Sequence, residues 1–137
     1  MGRRESRDAA VKFLFAYDFT ENKNTDIESL LEEFLAEYDG CAPKLLEREY
    51  ISEVAAGTVG NLSEIDALIG RHASNWTLDR MAKMDIAILR VAVYELLNRT
   101  DIPDSVTINE AVELAKKFST EFSANFVNGV LGAYAKD

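Results

Sequence analysis

At 137 residues the chain has room for one domain with its own apolar core, and 47% hydrophobic against 28% charged residues excludes a disordered polymer. A net charge of -9 argues against binding a polyanion through the overall field. The single cysteine, Cys41, excludes an internal disulfide; no apolar run reaches the length of a membrane span and no signal-peptide core follows Met1, so a cytoplasmic setting is expected. The charge is uneven: residues 1–17 carry +2, residues 18–66 carry -10 and residues 67–137 carry -1. Screening confines exposed charges to about 10 Å at 0.1 M salt, so a local basic patch can bind an anion despite the overall sign.

Two prolines and seven glycines, with abundant Ala, Leu and Glu, predict helices throughout. The first runs from about Arg3 to Phe19, with Ala10, Phe13, Leu14 and Tyr17 on one face, and is ended by the polar stretch "TENKNTD". Asp26 is the expected N-cap of the second, whose stripe is Ile27, Leu30, Leu31, Phe34 and Leu35. The third opens near Pro43 and carries Leu46, Tyr50, Ile51, Val54 and Val59. Ser63-Glu-Ile-Asp66 resembles a capping box ahead of Leu68 and Ile69, and Thr77 or Asp79 could cap a short turn around Met81.

The segment "DIAILRVAVYELLNRTDIP" from Asp85 to Pro103 is apolar on nearly every side, which places its helix in the middle of a bundle. One arginine, Arg90, interrupts it. Thr107-Ile-Asn-Glu110 reads as a full capping box before Ala111, Leu114, Ala115 and Phe118. Ser123 is the expected cap of the last helix, where Gly129 and Gly132 suggest close packing against a neighbour. The reading is all-α: one domain over 1–137, about seven helices.

Chemistry is sparse. His72 and Cys41 are the only residues of their kinds, which rules out a Cys/His zinc site, and no phosphate-binding glycine loop or nucleophile motif occurs. Acid pairs such as Glu32–Glu33 do not share a helix face and read as solvated surface. No catalytic residue, metal or cofactor is expected. The sequons at Asn61, Asn75 and Asn98 read as chance matches. The stronger signal is Arg3, Arg4 and Arg7 in the first turns, where planar guanidinium forks suit phosphate. A solvated helix start with local pairs such as Arg4–Asp8 explains them equally well. Lys116 and Lys117 suit the end of their helix, and an exposed member of the Phe118, Phe122, Phe126 series could stack a base.

Taken in order, "RRESRDAAVKFLFAYDF", "LSEIDALIGRHASNWTLDRMAKMDIAILRVAVYELL", "IPDSVTINEAVELAKKFS" and "FVNGVL" resemble the NusB family of bacterial transcription antitermination factors over nearly the whole chain. The resemblance implies two packed helical sub-bundles and no enzymatic activity. It implies binding of the single-stranded boxA element of ribosomal RNA transcripts with NusE, a ribosomal protein. NusA, NusG and RNA polymerase join the larger complex, and homodimers occur in some members. By the resemblance Arg3, Arg4 and Arg7 contact phosphate and Asp85 serves NusE docking, its alternative being an N-cap. Arg90 either reaches the surface near RNA or forms a buried pair with Glu95 or another acid. Phe15 replaces a tyrosine and Phe122 an aspartate found in some relatives, which bears on the RNA side. Two other readings stay open: an accessory domain of an RNA methyltransferase, and a helical adaptor whose acidic 18–66 region docks a basic protein.

Overall fold

The computed structural model describes residues 2–20, 26–73 and 76–136. Residues 21–25 of the expected helix-ending stretch and Asn75 of the second sequon lie outside them. Among the described residues there are seven α-helices: α1 (Arg3–Tyr17), α2 (Ile27–Ala36), α3 (Arg48–Gly60), α4 (Leu62–His72), α5 (Lys83–Asn98), α6 (Asp104–Phe118) and α7 (Glu121–Lys136). Short 3-10 turns cover Pro43–Leu45 and Leu78–Arg80. Pro43 therefore opens a single turn, and α3 starts five residues later than Pro43 alone suggests.

The apolar coat of α5 is explained by its neighbours. Every residue from Asp85 to Glu95 is buried, and the helix touches α1, α3, α4, α6 and α7. Each buried Ile, Leu or Val there contributes about 1.5–3 kcal/mol relative to exposure. Helices α1, α2 and α3 form one sub-bundle and α4, α6 and α7 pack together as the other, with α5 shared between them. The α2 stripe is shallower than its pattern suggests, since Leu31 is the residue it buries.

The caps divide. Asp26 caps α2 as its position predicts, accepting from Ser29 N at 3.2 Å. The two expected capping boxes are absent: α4 starts at Leu62 and α6 at Asp104, both ahead of the expected caps. Thr107 and Asp66 instead face other helices, as described below. Ser123 is not the cap of α7; its backbone N–H donates to Thr120 Oγ1 at 3.0 Å. In each case a polar side chain that looks local in sequence serves a distant partner.

Close packing does occur at a glycine, though not at those expected. A Cβ on Gly57 of α3 would lie 2.3 Å from the Tyr94 ring of α5, whereas Gly129 and Gly132 have open space around that position. Without a packing role, Gly129 only weakens α7. Gly129→Ala is expected to raise stability by about 1 kcal/mol in urea denaturation, and a lowered midpoint would show that the glycine has a structural use.

Candidate nucleic-acid interface

The N-terminal arginines do not stand free. Arg3 donates from Nε and Nη2 to Glu47 Oε1 at 3.3 and 3.0 Å. Arg4 makes a two-pronged contact with Glu110, Nε to Oε1 at 2.9 Å and Nη2 to Oε2 at 2.7 Å. Arg7 makes a second fork with Glu95, Nε to Oε2 at 2.7 Å and Nη2 to Oε1 at 3.0 Å. All three guanidinium groups are thus engaged by carboxylates of their own chain; Arg7 alone is buried, while Arg4 stays 72% and Arg3 34% exposed. The local alternative fares no better for Arg4, because Asp8 pairs with Lys12 at 3.2 Å and Lys117 at 2.8 Å. The partners at 47, 95 and 110 lie on other elements, beyond the reach of helical spacing arguments.

Arg7 is the most altered of the three. It falls on the inward side of α1, and its side chain keeps only 5% exposure while the Glu95 side chain keeps none. Tyr50 and Thr107 also donate to Glu95, the latter at 3.0 Å. This carboxylate thus ties α1, α3, α5 and α6 together. Burial and the Glu95 charge both push the Tyr50 phenol well above its ordinary range, so the hydroxyl stays protonated and donates. The Tyr50 ring carries Arg3 at 4.5 Å and Arg99 at 5.8 Å.

Arg90 has the alternative fate considered for it, with a different acid. Its Nε and Nη2 both lie 2.9 Å from Asp66 oxygens, and Nη1 lies 3.1 Å from Asp18 Oδ1. The guanidinium joins α1, α4 and α5 and leaves the side chain 10% exposed. Asp66, expected in a cap, is half of this contact.

Asp85 is not an N-cap. Ala82 holds that place, and Asp85 sits in the first turn of α5. Its Oδ2 accepts from Ser123 Oγ at 2.8 Å; its Oδ1 is buried with no hydrogen-bond partner. A buried carboxyl oxygen without a hydrogen-bond partner is costly inside a protein. Asp85 lines an open concavity of about 160 Å³ with Trp76, Arg80, Met81, Phe122 and Phe126. Trp76 meets Phe122 edge to face at 6.4 Å and Phe126 at 6.0 Å, and Phe122 is 64% exposed. Arg80 makes no ion pair among the described residues. Two expected site residues, Asp85 and Phe122, therefore meet in one place, about which Trp76 and Arg80 gave no warning beyond Trp76 being the chain's one tryptophan. An aromatic wall and a free guanidinium together suit a planar, anionic ligand unit such as a nucleotide.

The NusB family model matches residues 4–136. The chain belongs to the NusB family. It is 44% identical over 137 residues to the transcription antitermination protein NusB of Thermoanaerobacter sp. (strain X514), covering 100% of this chain and 92% of that one. The NusB of Acetivibrio thermocellus is 44% identical over 138 residues, with 99% and 90% coverage. Among solved structures, T. maritima NusB superposes with a TM-score of 0.82 at 43% identity, covering 98% of this chain and 91% of that chain. A crystal structure of antitermination factors NusB and NusE in complex with dsRNA matches with a TM-score of 0.80 at 27% identity, covering 98% and 96%. The all-α NusB architecture, with its two sub-bundles, is thus the fold of this chain.

Proposed function

We propose that this chain is a non-enzymatic transcription antitermination factor. It binds boxA-type RNA of ribosomal RNA transcripts together with NusE and so promotes processive ribosomal RNA synthesis. The names of its relatives and the NusB–NusE–RNA structure support this reading. The observation on the chain itself that carries it is the concavity at Trp76, Phe122 and Phe126, with Arg80 and Asp85 also in its lining. Three aromatic rings of this kind favour an unstacked base over a closed duplex, because a base stacked within a duplex hides both its faces.

In this reading Phe122 and Trp76 hold a base, Arg80 and Arg4 face phosphate, and Asp85 serves partner docking from the lining of the concavity. Arg3 keeps partial access to solvent. Arg7 and Arg90 act indirectly, by fixing the helices that carry these groups. NusE supplies further contacts, and NusA, NusG and RNA polymerase complete the cytoplasmic assembly. A homodimer is compatible with this scheme when it leaves the concavity open. The whole of residues 1–137 works as one RNA-binding domain.

A gel shift with boxA-like RNA tests this directly. Binding is expected for the chain alone, to tighten on adding NusE, and to fall with salt by about 0.7 log units per log unit of salt for each phosphate neutralised. No shift at low salt with NusE present would end the RNA reading and leave the helical adaptor.

A further inference from the structure

Arg4 presents a contradiction. Its side chain is 72% exposed, yet both arms of its fork are fully engaged by the Glu110 carboxylate, itself only 15% exposed. An exposed arginine ordinarily keeps its fork in water. Glu110 also lies 3.7 Å from Arg7 Nη1, so it stands between two cations. The hydrogen bond from Arg4 holds the Glu110 carboxyl below its ordinary range, which keeps it ionised near neutral pH. The pair borders an open groove of about 420 Å³ floored by Ile102, Pro103 and Val106, between α1 and the start of α6. Val106 is exposed there.

A two-oxygen anion on a planar fork is the geometry in which arginine binds a phosphodiester. We propose that Glu110 is a built-in stand-in for an RNA phosphate: it occupies the Arg4 fork in the free protein, must leave that fork when RNA binds, and thereby sets the affinity for RNA. The inference rests on the RNA-binding reading above. A reversible exchange is open to Glu110 because the Arg4 side of the pair is 72% exposed and screened by water, and because Glu110 keeps Arg7 Nη1 at 3.7 Å when Arg4 turns away. A lone anion gains little by replacing one carboxylate on one fork. A strand gains, because it reaches the aromatic concavity and the fork together. Glu110 thus discriminates against small anions and in favour of a polyanionic chain. Arg7 is excluded from this exchange because its own fork is closed by the buried Glu95.

The test is fluorescence anisotropy of a labelled boxA-like RNA oligonucleotide with the full chain, its Glu110→Gln and Glu110→Asp variants, Arg4→Ala, and Arg4→Ala/Glu110→Gln. Aspartate is one methylene shorter, keeps the charge and loses the two-pronged reach; it also serves if Glu110→Gln fails to fold by circular dichroism. The expected result is tightening of about threefold to tenfold for Glu110→Gln, with a smaller gain for Glu110→Asp. The salt slope should stay near the parent value in Glu110→Gln, because the Arg4 fork holds a phosphate in both complexes, and should flatten by about 0.7 in Arg4→Ala, which loses that phosphate. In the Arg4→Ala background the glutamate change should do nothing. Glu33→Gln on α2, which removes the same charge elsewhere, should leave binding near the parent value. RNA bound by the parent but no tighter in either Glu110 variant overturns the exchange and leaves the RNA reading intact. Equal tightening with and without Arg4, or in Glu33→Gln, reduces Glu110 to general charge and also overturns it. No binding by any variant, with or without NusE, ends the RNA reading itself.

Discussion

Trp76→Ala is expected to weaken RNA binding by about tenfold to a hundredfold, the range found when one base loses an aromatic partner. The concavity depends on this ring more than on any other. Trp76 makes edge contacts with both Phe122 and Phe126 and forms one wall of the concavity. It contributes little to the interior, being 41% exposed, so its removal should leave stability close to the parent value. As the chain's one tryptophan, it also reports on itself. Its fluorescence should be quenched as RNA is added, with the same midpoint as the gel shift, and Phe122→Ala should weaken both signals. An unperturbed tryptophan signal during tight RNA binding would move the base site elsewhere.

Arg7→Ala is expected to cost about 3–5 kcal/mol of folding stability, because it leaves a buried carboxylate without its cation. Measured against a typical total of about 5–15 kcal/mol, that is a large share. The Glu95 side chain is fully buried, and Tyr50 and Thr107 alone would remain as its donors. Removing both charges in Arg7→Met/Glu95→Gln should recover part of the loss, since no ion is then buried unpaired. Urea denaturation with matched circular dichroism gives the comparison. A parent-like midpoint for Arg7→Ala combined with lost RNA binding would return Arg7 to the surface role first expected of it. Any RNA measurement on an Arg7 variant has to be read beside its stability.

The helices and the central place of α5 were legible because apolar periodicity reports burial directly. Eleven consecutive buried positions, Asp85 to Glu95, follow from the apolar coat around one short segment. The polar residues were not legible in the same way. Thr107 and Glu110 have the spacing of a capping box, and so nearly do Ser63 and Asp66, but that spacing also puts side chains on one helix face, available to a neighbouring helix. Thr107 bonds Glu95, Glu110 bonds Arg4 and Asp66 bonds Arg90, all at sequence separations of 12 or more. The three N-terminal arginines were identified as a group, while their acids, on three different elements, become neighbours only after folding. Asp85 and Phe122 were each singled out for a different ligand; their meeting through Ser123 depends on how α7 lies against the start of α5. Gly129 shows the reverse error: a helical glycine implied contact, and the space beside it is empty.

One rod joins the aromatic concavity to the buried arginine hub. Asp85 lies in the concavity and Glu95 in the buried arginine hub, ten residues apart on α5, or about 15 Å along a continuous helix at 1.5 Å per residue. The halves on either side each need that helix to cover their interior, so neither sub-bundle can be excised as a minimal reader of RNA.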